Sequence, residues 1–138
     1  MFKHILVPVD LSDRHQHALE VAARLARESH GEVTLLHVIE ITPGPWAQEP
    51  DFMKRIAELA HNHLTSLGRS LEADQVLGRK EIVYGNRAHE IVCYALETGI
   101  DLVVLTSRRI DPSDPNAGWG PVSHHVGILS QCPVLLVK

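Results

Sequence analysis

His4-Ile-Leu-Val-Pro-Val-Asp10 and, late in the chain, Asp101-Leu-Val-Val-Leu-Thr106 decide the fold. Each is a short apolar run with almost no alternation. A strand with one wet face alternates apolar and polar residues, so runs like these belong to strands covered on both faces. Pro8 has no N–H to give a central ladder, which places it near a strand's end. Working outward, Ser12 reads as the N-cap of a helix over residues 13–30, with Ala18, Ala22, Leu25 and Ala26 on its apolar face, Leu19 at the flank and Gly31 as its stop. Residues 32–40 form a second strand, and Thr42-Pro-Gly-Pro45 breaks the chain. Met53, Ile56, Ala60, Leu64 and Leu67 then recur at helical spacing over residues 50–71. A short third strand covers residues 81–84, ended by Gly85. A helix over 87–98 buries Ala88, Ile91, Val92 and Ala95 and stops at Gly99. After the strand at 101–106 comes a long loop with two Asp-Pro pairs, then a short helix over 122–130 and a last strand over 133–137.

The order βαβαβαβαβ predicts an α/β fold: a five-stranded parallel sheet with helices on both faces, joined by right-handed crossovers. With 138 residues, 44% of them apolar and 22% charged, the chain is sized for one domain, residues 1–138. The net charge of −4 argues against nucleic acid as a partner, and Arg108-Arg109 is the densest basic spot. The N-terminal apolar stretch is too short for a signal peptide, and no run approaches the roughly 20 residues that span a bilayer, so no membrane is expected. Cys93 and Cys132 form no CxxC and read as reduced, mostly buried thiols of a cytoplasmic protein.

An open parallel sheet binds ligands beyond its strand C-termini. The segments to examine are therefore Asp10-Leu-Ser12, Glu40 onward, Gly85-Asn-Arg87 and residues 107–123. Gly118-Trp-Gly-Pro-Val-Ser123 leads into a helix start, where free N–H groups and the helix dipole suit phosphate, although a plain helix cap would use the same residues. Asp10 could accept hydrogen bonds from ribose hydroxyls or simply cap the turn.

Four segments together resemble the universal stress protein family: Ile5-Leu-Val-Pro-Val-Asp10 with Ser12; Leu35-Leu-His-Val38; Gly85, Ala88, Ile91 and Ala95; and Gly120, Val122 and Ser123 with Cys132-Pro-Val-Leu-Leu-Val137. The resemblance spans essentially the whole chain. It implies the strand order 3-2-1-4-5 of the adenine nucleotide alpha hydrolase-like fold, and a homodimer paired through the C-terminal strand. It also implies a module that binds an adenine nucleotide, ATP or AMP, with Mg2+ accompanying ATP. Such a module acts in stress response or signalling with at most weak ATP hydrolysis. By the same resemblance, Pro8, Val9 and Asp10 line an adenosine pocket, Val38 offers backbone groups to the adenine edge, and Leu105 and Ser107 complete the wall. Arg108, Arg109, Gly120, Pro121, Val122 and Ser123 would meet phosphate. The family's nucleotide binders share a glycine pattern that is met here only in part. Thr106 and Arg109 stand where glycines are expected, Gly120 matches, Pro121 replaces a hydroxyl residue, and the stretch before Gly120 is one residue longer. A module of the same fold that binds no nucleotide and acts through protein interactions is the alternative.

Other constellations carry less. His15-Gln-His17, His61-Asn-His63 and His124-His125 have spacings that do not face one side of a helix, and only His89 and Cys93 lie four apart. No metal site is expected. Most histidines are expected at the surface, with His37 as a hydrogen-bonded core residue. No P-loop, GxGxxG or GxSxG stretch is present, and no catalytic residue is assigned. Trp119 could cover a ligand, meet a partner subunit or pin its own loop.

Overall fold

The computed structural model describes residues 1–40, 44–45, 49–107, 113 and 121–138. The expectations that fall on Thr42, Pro43, Arg108, Arg109, Gly118, Trp119 and Gly120 lie outside the described residues. The elements run β1 (His4–Pro8), α1 (Gln16–Ser29), β2 (Glu32–Ile39), α2 (Pro50–Ala73), β3 (Leu77–Tyr84), α3 (Arg87–Glu97), β4 (Leu102–Thr106), α4 (Pro121–Leu129) and β5 (Val134–Val137). The five strands form one parallel sheet in the order β3-β2-β1-β4-β5.

Strand alternation sorts the core into two layers. Ile5, Val7, Val33, Leu35 and Val104 face α1 and α2 and pack with Ala18, Ala22, Ala26, Leu64 and Leu71. Leu6, Leu36, Val38, Val103 and Leu105 face the other way, against Ile91 and Ala95 of α3 and Val126 of α4. Pro8 is the last residue of β1, and the ladder closes one residue later, where Val9 N donates to Leu36 O at 2.9 Å.

Several local expectations are corrected. Ser12 does not cap α1: its N–H and hydroxyl both turn back to Asp10 Oδ1, and the helix starts at Gln16 after a turn. The α1 N-cap position is His15, so Ser12 stands three residues ahead of the helix and its N–H and hydroxyl serve the Asp10 carboxylate instead. His30, not Gly31, takes the left-handed cap conformation at φ 55°. Gly31 is needed for space, since a Cβ there would lie 2.6 Å from Lys3 Cα, where the entering β2 crosses the start of β1. The third strand is twice the expected length because Leu77–Lys80 are polar or exposed and give no apolar signal. An edge strand needs only backbone pairing on one side, and β3 pairs with β2 along its whole length. Cys93 and Cys132 are free but only half-buried.

Candidate functional site

The chain winds α1 and α2 onto one face and α3 and α4 onto the other, so the direction of winding reverses between β3 and β4. β1 and β4 lie side by side at that reversal, and a crevice opens beyond their C-termini, as expected at a switch point. A cavity of about 660 Å³ occupies it. Among its lining residues are Pro8, Val9, Asp10, Val38, Leu105, Ser107, Val122 and Ser123, so residues scattered from one end of the chain to the other converge on a single space. Pro121 is the first residue of α4. Arg108, Arg109 and Gly120 lie outside the described residues.

Asp10 is the most heavily engaged group. Its Oδ1 accepts from Ser12 N at 2.8 Å and from the Ser12 hydroxyl, and lies 2.8 Å from His15 Nε2; its Oδ2 accepts from Arg14 at 2.9 Å. Burial works against the charge on Asp10, but the bonds from Ser12 and His15 outweigh it. The carboxyl therefore titrates well below the ordinary carboxylate value. His15 is buried, at 4% exposure, and its second ring nitrogen, Nδ1, lies 2.8 Å from Thr106 Oγ1 at the end of β4. Burial lowers the His15 pKa; Asp10 pulls it back up, while Arg14 and His63 push it further down. The imidazole is thus neutral at neutral pH and ties the end of β1 to the end of β4.

Among the described residues, three cations also line the cavity: Arg14, Arg87 and Lys138. Arg87 is the first residue of α3, a position where the helix dipole disfavours positive charge. Its backbone N donates to Glu40 Oε1 at 3.1 Å, and Asn86 caps the helix by accepting from His89 N at 3.0 Å. Lys138 Nζ donates to Ser107 Oγ at 3.1 Å, next to Thr106. Among the described lining residues, apolar side chains stand together with Arg14, Arg87, Lys138 and the Asp10 carboxylate, a mixture that suits a ligand with an apolar body and an anionic tail.

Sequence reasoning missed His15, Arg14, Lys138 and the role of Thr106. Most histidines are expected at the surface, but His15 is buried, because the turn after Asp10 brings it against Thr106 at the end of β4. His17, two residues on, does stay exposed, with its Nδ1 3.1 Å from Lys138 O. His37 is the hydrogen-bonded core histidine expected, its Nδ1–H donating to Val9 O at 2.9 Å. His89 and Cys93 come within 3.5 Å of one another on α3. Among the described residues, no group of three His, Cys, Asp or Glu side chains comes together as a metal site. Nor is any helix among them long and apolar enough to cross a membrane.

The universal stress protein family model matches residues 1–138. The universal stress protein YxiE of Bacillus subtilis is 34% identical, with all of both chains covered. The solved structure of the protein MJ0577, a universal stress protein of Methanocaldococcus jannaschii, superposes with a TM-score of 0.84 at 29% identity, covering 100% of this chain and 96% of that one. A universal stress protein of Archaeoglobus fulgidus solved in complex with dAMP shares the fold at TM-score 0.71 and 21% identity, covering 99% of this chain and 98% of that one. A universal stress protein solved in complex with cAMP shares the fold at TM-score 0.79 and 21% identity, covering 99% of this chain and 97% of that one. With its whole length matched and its strand order in agreement, this chain belongs to the universal stress protein family.

Proposed function

We propose that the chain binds an adenine nucleotide, AMP or ATP, in the cavity between β1 and β4, with Mg2+ accompanying ATP. On this reading it acts in stress response or signalling as a cytoplasmic homodimer. The convergence of Pro8, Val9, Asp10, Val38, Leu105, Ser107, Val122 and Ser123 on one cavity ringed by Arg14, Arg87 and Lys138 carries this reading. Adenosine rests between Val9, Val38 and Leu105, its adenine edge on the Val38 backbone and its ribose toward Asp10. Phosphate lies among the cations and the start of α4, and Arg108, Arg109, Gly120 and Pro121 belong to its surround. The dAMP and cAMP complexes of structural neighbours support the ligand class.

Calorimetric titration with AMP and with ATP, each with and without Mg2+, tests the reading. Binding in the micromolar to millimolar range is expected, and Asp10→Ala should weaken it by about tenfold through loss of a charged hydrogen-bond partner. Neither heat nor thermal stabilisation at millimolar nucleotide would leave the alternative, an interaction protein of the same fold. On the same reading the dimer pairs through the C-terminal strand β5, an edge strand, and the 38% and 42% exposure of its Leu135 and Leu136 supports this. Sedimentation should report a dimer, and Leu135→Lys should shift it toward monomer.

A further inference from the structure

Two metal-ligating side chains meet on α3, outside the cavity between β1 and β4. His89 and Cys93 are four residues apart, so one turn of helix sets them on the same side. Cys93 Sγ lies 3.5 Å from His89 Nε2. Neither residue lines the cavity. His89 is exposed and Cys93 half-buried, so solvent reaches the pair.

The separation has a chemical meaning. A thiolate sulfur bonds Zn2+ at about 2.3 Å and an imidazole nitrogen at about 2.0 Å, and two such bonds at the tetrahedral angle set sulfur and nitrogen about 3.5 Å apart. A linear, two-coordinate ion with the same bonds would need about 4.3 Å. The pair is therefore spaced for a tetrahedral ion, and a thiol–imidazole hydrogen bond joins the same two atoms when no ion is bound. The helix beneath it is firmly held. His89 N donates to Asn86 Oδ1 at 3.0 Å, and Ile91 and Ala95 anchor the inner face of α3 in the core. An ion would thus meet ligands already in place, with little ordering left to do. Glu97, four residues beyond Cys93, stands on the same row one turn further on, and its negative charge favours a cation there.

We propose that His89 and Cys93 bind one divalent cation of borderline softness, Zn2+ or an ion like it, with water in the two remaining positions. As the sulfur–metal bond forms, the Cys93 thiol gives its proton to solvent, and His89 supplies the Nε2 lone pair. Thiolate and imidazole select such an ion over Mg2+ and Ca2+, which take oxygen ligands. A structural zinc site is closed by four protein ligands, whereas this one is half open. The ion therefore exchanges with solvent and can take a further ligand, which suits sensing or handing on a metal rather than holding the fold.

Titration of the reduced, metal-free protein with Co2+ tests the proposal, because a thiolate on Co2+ gives a near-ultraviolet charge-transfer band that histidine ligands alone do not. The wild type and Cys132→Ser should both show the band, saturating at one ion per chain. Zn2+ should erase it and Mg2+ should not. Cys93→Ser should abolish the band. His89→Ala should weaken Co2+ by at least about tenfold, since even a supporting residue of a metal site is worth that much. Absence of the band from the wild type would overturn the site. So would a band that survives Cys93→Ser, one unmoved by His89→Ala, or saturation at one ion per two chains. The nucleotide reading stands or falls separately, by the titrations with AMP and ATP.

Discussion

Leu35 and Leu36 are neighbours in β2, both fully buried, and they point to opposite faces of the sheet. Leu35 meets the face closed by α1 and α2. There the helix offers Ala18, Ala22, Ala23 and Ala26, small side chains that bring its backbone close to the strands. Leu36 meets the face of α3 and α4 and borders the cavity. The covering helix there, α4, is short, and its Ile128 and Leu129 stay exposed at 66% and 55%. One face is closely packed. The other is left partly open, and the residues that line the cavity collect at the C-terminal ends of its strands.

The sharpest test removes the same atoms from each side. Leu35→Ala should cost about 4 kcal/mol in urea unfolding, toward the upper end for a buried leucine, because the alanine-lined helix cannot collapse into the hole. Leu36→Ala should cost about 2 kcal/mol, since the space joins an existing cavity that water can enter. It should also weaken AMP binding. Equal costs would mean that the two faces are packed alike and would break the comparison. Asn86→Ala, at the rim of the open face, should cost about 1 kcal/mol through loss of the α3 cap, and should weaken AMP by loosening Arg87. The smallest effect at neutral pH is His15→Gln. His15 has a folded-state pKa below its ordinary 6.5, so the wild type loses stability as pH falls from 6.5 toward that value. Asp10, also depressed, adds a second loss below its ordinary 3.8. His15→Gln should flatten the first decline and leave the second, as read from urea midpoints between pH 7.5 and 3.

The strands with two buried faces were legible because they bury nearly every residue: β1, β2 and β4 match their apolar runs within a residue or two. The polar half of β3 was not, since an edge strand held by backbone pairing has no side-chain signature. The start of α1 was not, because a Ser that opens a turn against a preceding carboxylate looks in sequence like a Ser that caps a helix, and Ser12 does the former. Asp10, Val38 and Ser123 could be named as site candidates from strand ends and from resemblance. His15 could not, because its burial depends on β4, which arrives 91 residues later.

The alternation of apolar strands and amphipathic helices, and with it a parallel α/β sheet, can be read from the chain alone, because apolar periodicity is a local property of the sequence. The contacts at the switch point arise only in the folded chain. Asp10 and His15 belong to one turn, but the Thr106 hydroxyl that meets His15 stands at the end of β4, and no local pattern relates it to them until β1 and β4 are laid side by side.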